Sequence, residues 1–117
     1  MILSEYDIAR SVLSSLLHCD MSPYSEQLKN FKIEPQYFTH PVHNAVAKEI
    51  EKLQAKGYPP FDAYVQELLS VESSEQYVKN EYIEILAANP YTTPKELQRI
   101  YAILKRRHAT RLLKALR

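Results

Sequence analysis

Gly57 is the only glycine among 117 residues, and that single count constrains the fold more than any other feature. β-Hairpins draw on glycine for the positive φ angles of their tight turns. A chain with one glycine is therefore expected to be all-α. The same count removes every phosphate cradle built from a glycine-rich loop. Neither G-x-x-x-x-G-K-[ST] nor G-x-G-x-x-G can be written from this sequence. No ATP hydrolysis and no cofactor are expected of the chain itself.

Apolar residues make up 45% of the chain and charged residues 25%, the balance of a water-soluble globule large enough for one hydrophobic core. Cys19 is the sole cysteine, so no internal disulfide can form, which fits a reducing compartment. Met1 to Asp7 is acidic and carries no secretory apolar run, and no stretch reaches the ~18 apolar residues of a membrane span. A cytoplasmic location is the expectation.

Helix signals recur along the chain. Ser4-Glu5-Tyr6-Asp7 reads as a capping box, followed by Ile8, Val12, Leu13, Leu16 and Leu17 at helical spacing. Met21-Ser22-Pro23 is expected to end that helix, and Tyr24 to Phe31 predicts a short one. Pro35 to His40 reads as a loop. Pro41 suits the first position of a helix bearing Val42, Ala45, Val46, Ile50 and Leu53, and Gly57 suits the left-handed position just past its end. Asp62 reads as the N-cap of a short helix with Val65, Leu68 and Leu69. A further helix runs through Tyr82, Ile83, Leu86 and Ala87 to Asn89-Pro90. Thr93-Pro94-Lys95-Glu96 is the strongest start signal, and nothing interrupts the helix it opens before Arg117. That is about 23 residues, or ~35 Å. The expected architecture is a compact orthogonal bundle of about six helices, with 1–90 as the globular part and 91–117 as a long basic helix.

Charge singles out that last helix. Residues 1–94 hold 7 Lys+Arg against 13 Asp+Glu (−6), whereas 95–117 hold 8 against one (+7). Leu97, Ile100, Tyr101, Leu104, His108, Leu112 and Ala115 fall on one face and are expected to pack on the core. Ile103 and Leu113 sit instead among Arg99, Arg106, Lys114 and Arg117, and Leu116 is also off the stripe. A helix apolar on two faces usually has two packing partners. The expected interaction surface is Arg99, Ile103, Arg106, Arg107, Arg111, Leu113 and Lys114, facing a second copy or another protein. The basic run could instead bind phosphates, but a solvated basic face, or one that docks on an acidic protein, is the expected reading. Tyr101 is the only aromatic near the run Lys105-Arg106-Arg107-His108, too few for a base-stacking platform.

Other chemistry-bearing residues read as structural. His40-x-x-His43 can bring two imidazoles together, but zinc takes four ligands and His18-Cys19 fits no zinc spacing. His43 is expected to be half-buried and bonded to nearby backbone. Adjacent residues on a helix point about 100° apart, so His18 and Cys19 do not form a base–nucleophile pair. The carboxylates read as scattered over solvent faces, with no acid–base couple.

Three stretches taken together resemble the N-terminal domain of bacterial DnaB-type replicative helicases. The first is Ala9 through Leu17, with its S-V-L-x-x-L-L core. The second is Tyr37-Phe38-Thr39-His40-Pro41-Val42-His43, continuing through Ile50 and Leu53 to Gly57, Pro60, Asp62, Val65 and Leu68-Leu69. The third is Tyr82-Ile83-Glu84-Ile85-Leu86-Ala87-Ala88-Asn89-Pro90 followed by the long helix. The resemblance implies a non-catalytic collar domain that pairs with itself through helical hairpins and contacts primase and loader proteins. In such proteins the ATP-dependent motor lies downstream. It implies structural roles for Tyr37, Phe38, Pro41, His43, Gly57 and Asp62, and an end within the first hairpin arm, as in a fragment or a truncated relative. The run Leu104-Lys105-Arg106-Arg107-His108 through Arg111-Leu112-Leu113-Lys114 is also similar to the C-terminal helicase-binding domain of DnaG-type primases. A small basic nucleic-acid-binding protein is the third reading, although DNA contact by this domain alone is not expected.

Overall fold

Ser4 starts the first helix as its capping signal requires. In the computed structural model, which describes residues 4–60, 65, 75–91 and 93–116, Ser4 is extended and its hydroxyl accepts from the Asp7 N–H at 3.0 Å. The same hydroxyl donates to Asp7 Oδ2 at 2.8 Å, so the box closes through the two side chains. Helix α1 (Glu5–Leu17) is the centre of the molecule. Ile8, Ala9, Val12, Leu13, Leu16 and Leu17 are all buried, and α1 touches every other helix of the described residues. A 3₁₀ turn over Cys19–Met21 follows, so the regular helix stops at Leu17, before the expected Met21-Ser22-Pro23 breaker.

Helix α2 (Ser25–Lys29) is shorter than the expected Tyr24–Phe31, because Asn30 leaves the helix and Phe31 turns onto the core. A 3₁₀ turn over Pro35–Tyr37 occupies part of the expected loop. Helix α3 (Pro41–Ala55) opens on Pro41, with His40 as its N-cap: Nδ1 accepts from the Val42 N–H at 3.1 Å. It closes in a Schellman motif. The Tyr58 N–H reaches the Leu53 carbonyl at 2.9 Å and the Gly57 N–H reaches that of Gln54 at 3.0 Å, with Gly57 at φ 79°. Asp62 and most of its expected helix lie outside the described residues; Val65 is helical and buried.

Helix α4 (Gln76–Ala87) buries Val78, Glu81, Tyr82 and Ile85 and leaves Ile83 in solvent. Helix α5 (Pro94–Ala115) is capped by the Thr93 hydroxyl, which accepts from the Glu96 N–H at 3.3 Å. No strand is present among the described residues, and the fold is all-helical. Among the described residues no helix is long and apolar enough to cross a membrane.

Two buried serines explain how α4 turns into α5. Ser14 Oγ donates to the Ala88 carbonyl at 2.9 Å, and Ser15 Oγ accepts from the Tyr91 N–H at 2.6 Å while donating to Ser11 O. His18 Nε2 donates to the Leu86 carbonyl at 3.1 Å. Side chains of α1 and of its C-cap His18 thus satisfy backbone groups at and just past the end of α4. At the opposite end of α1, Glu5 meets Arg111, so α1 and α5 run antiparallel.

Candidate functional site

The first half of α5 belongs to the core. Leu97, Ile100, Tyr101 and Leu104 are buried, and Tyr101 is the hub of an aromatic cluster. Its hydroxyl accepts from the Glu34 N–H at 2.8 Å, and the rings of Phe31 and Tyr37 stand edge-on to it at 5.1 and 5.7 Å. Phe38 is buried at 6.4 Å, and Tyr37 also meets His108 at 5.1 Å. The resemblance residues Tyr37 and Phe38 therefore lock the chain before α3 against α5.

The second half of α5 leaves the body of the protein. Arg111 Nη1 binds both oxygens of Glu5 at 2.9 and 3.0 Å, and Glu5 is the first residue of α1. Beyond that pair the helix is exposed. Leu112 is 54% exposed, Leu113 64% and Leu116 84%. The stripe expected to reach Leu112 and Ala115 ends sooner, because α1 begins at this level and offers nothing to pack against.

The residues expected to form an interaction surface therefore divide. Arg99, Arg106, Leu113 and Lys114 are exposed. Ile103 is not uncovered: it is half-buried and packs on the core, because its position on α5 turns toward the body. Arg107 is half-buried, and Arg111 is committed to Glu5. Leu112 and Leu116 take the place of Ile103 in the exposed apolar group. Their signal was in the sequence, since Ala109, Leu112, Leu113 and Leu116 follow i, i+3, i+4, i+7.

A second polar assembly lies inside the protein, where α1, α3 and α4 meet. Arg10 grips Glu81 with Nε and Nη2, both at 2.8 Å. Tyr6 Oη donates to Glu81 Oε1 at 2.7 Å and His43 Nε2 donates to Oε2 at 2.7 Å. The Arg10 guanidinium also lies 4.3 Å over the Tyr6 ring. The guanidinium beside Glu81 is the main reason its carboxyl is held down to about 2. Burial keeps His43 below the ordinary histidine range, so it is neutral at pH 7. His43 is 1% exposed and bonded to a carboxylate, not half-buried and bonded to backbone as the sequence suggested. Glu81 and Glu49 are likewise buried, against the expectation that all carboxylates face solvent.

This assembly has the residues of an acid–base site but not its availability. Glu81 already accepts four hydrogen bonds, which fill both its oxygens. In the cleft of about 310 Å³ beside it, Glu5 is paired with Arg111, Tyr6 Oη and His43 Nε2 are bonded to Glu81, and His40 Nδ1 is bonded to the Val42 N–H. The rings of His40 and His43 stack with centroids 4.4 Å apart. Among the described residues no group of three His, Cys, Asp or Glu could hold a metal ion. Cys19 is buried, and burial pushes its thiol up to about 11, far from a reactive thiolate. The free end of α5 brings three exposed leucines, Leu112, Leu113 and Leu116, together on one helix end. No protein-family model, curated protein or solved structure matches this chain.

Proposed function

We propose that this chain is a non-catalytic protein–protein interaction domain of the DNA replication machinery, acting as the N-terminal collar domain of a DnaB-type helicase acts. The observation that carries the reading is the exposed Leu112, Leu113 and Leu116 at the end of a basic helix whose other half is fixed in the core. Exposed leucines grouped in this way mark a contact with another macromolecule. The resemblance residues add support through what they do: Pro41 opens α3, His43 ties it to α4, and Gly57 closes it.

In this reading the domain is an orthogonal bundle of about six helices in the cytoplasm. It associates with itself and with primase or a loader, and a parent protein would add the ATP-dependent motor. The exposed Lys105 and Arg106, with Arg107, favour a second reading, the helicase-binding domain of a primase, which meets the same contact from the other side.

Titration of the chain against the primase C-terminal domain and the helicase collar of its own host tests both. Saturable binding to primase supports the collar reading. Binding to the collar alone moves the chain to the primase side. A folded chain that binds neither sinks the replication assignment.

A further inference from the structure

Helix α5 carries an exposed apolar line along the flank of the stripe that enters the core. Ala102, Ala109 and Leu116 recur every seven residues, Leu112 and Leu113 lie beside them, and all five are exposed. A seven-residue repeat of this kind is the seam along which one helix packs on another. At Ala102 the seam runs into an open groove of about 550 Å³ between the end of α2 and α5, lined by Phe31, Tyr101 and Ala102 and by Lys32 and Lys105.

The charge along this face has one sign. Lys32, Lys95, Lys105 and Arg106 are exposed on this side, and none is ion-paired with a described residue. A second copy laid parallel along the seam would set Lys105 and Arg106 against like charges, whereas an acidic partner meets them with opposite charge. Nucleic acid would use the cations but leave the leucines in water, and the Tyr101 ring is buried and cannot stack on bases.

We propose that this face docks an acidic amphipathic helix of a protein partner. The partner lays apolar side chains along Ala102, Ala109, Leu112 and Leu116 and flanks them with carboxylates facing Lys105 and Arg106. From Ala102 to Leu116 the seam is about 21 Å long at 1.5 Å per residue, so it takes a partner helix of about four turns. The inference rests on reading the end of α5 as an interaction surface, and it adds the chemistry of what binds there.

Fluorescence anisotropy on the whole chain tests it with three labelled probes. They are an amphipathic helical peptide of about 16 residues with a leucine seam and glutamate flanks, the same peptide with lysine flanks, and an oligothymidylate of similar length. The acidic peptide is expected to bind at least about tenfold tighter than the lysine peptide. Leu113→Ser with Leu116→Ser, and separately Arg106→Glu, should each weaken it by about tenfold or more while circular dichroism stays unchanged. Equal binding of the two peptides, no binding of either, seam variants that bind like the parent, or tightest binding to oligothymidylate each overturn the proposal. A chain that captures its replication partner but ignores the acidic peptide loses only this inference. One that binds the peptide but neither replication partner loses only the preceding assignment.

Discussion

His43 Nε2 lies 2.7 Å from Glu81 Oε2, and that bond ties α3 to α4 across 38 residues of chain. Glu81 also holds Arg10 and Tyr6 of α1, so one carboxylate joins three helices. Removing one member of a buried hydrogen-bonded network strands its partners. Glu81→Ala is expected to lower stability by about 3 kcal/mol in urea denaturation. Glu81→Gln should cost less, because an amide oxygen still accepts from one partner. A loss under ~1 kcal/mol in the alanine variant would show that these groups find water as readily as each other.

Acidification should weaken the fold in two stages. Burial holds folded His43 below its ordinary 6.5, so below that pH the unfolded chain binds the extra proton and stability falls. Glu81 drops from 4.5 to about 2 in the fold, so its contribution is complete above the ordinary value and is lost as pH falls from about 5 to 2. Urea midpoints between pH 7.5 and 3 should fall continuously, and Glu81→Gln should flatten the lower part of the curve. A midpoint unchanged from pH 7 to 5 would remove the burial argument for His43.

Ile103 and Leu113 look alike in the sequence but should respond oppositely to glutamate. Ile103→Glu puts a charge against the core and is expected to lower stability by about 2 kcal/mol or more. Leu113→Glu, on an exposed site, should change it by less than about 0.5 kcal/mol. Thermal melts followed by circular dichroism separate the two, and equal effects would mean the two positions share one environment.

Cys19 should resist thiol reagents in the native state at pH 8 and react at once in denaturant. Burial keeps its thiol protonated and out of reach. Rapid labelling of the folded chain would show that the end of α1 opens locally.

Local rules were legible in the sequence. The Ser4 and Thr93 caps, Pro41 at the head of α3 and Gly57 past its end each follow from a backbone requirement that a few neighbouring residues meet. What escaped depends on three helices meeting. Glu81 sits in a stretch, Lys79-Asn80-Glu81, that reads as solvent-facing, and only the arrival of Arg10, Tyr6 and His43 makes it a core residue. Arg10, the one charged residue between Ile8 and Leu17, was the available cue. The point where α5 leaves the body was equally hidden. A periodic stripe says which side of a helix turns inward, not how far the neighbouring helix extends. Leu112 lies one residue past the Arg111–Glu5 pair and is more than half exposed, whereas Ile103, deeper along the helix, packs on the core.

The anchoring of α5 over Leu97, Ile100, Tyr101 and Leu104 has a thermodynamic consequence for its free end. Starting a helix is the unfavourable step, and adding residues to one already formed costs little. The capped, buried turns supply the start, so Ala109 to Leu116 extend a structure that already exists. A binder meeting those residues need not order a loose segment first. The entropy that weakens recognition of disordered tails is therefore largely absent here, and a short line of exposed leucines can act as a ready-made strip of contact.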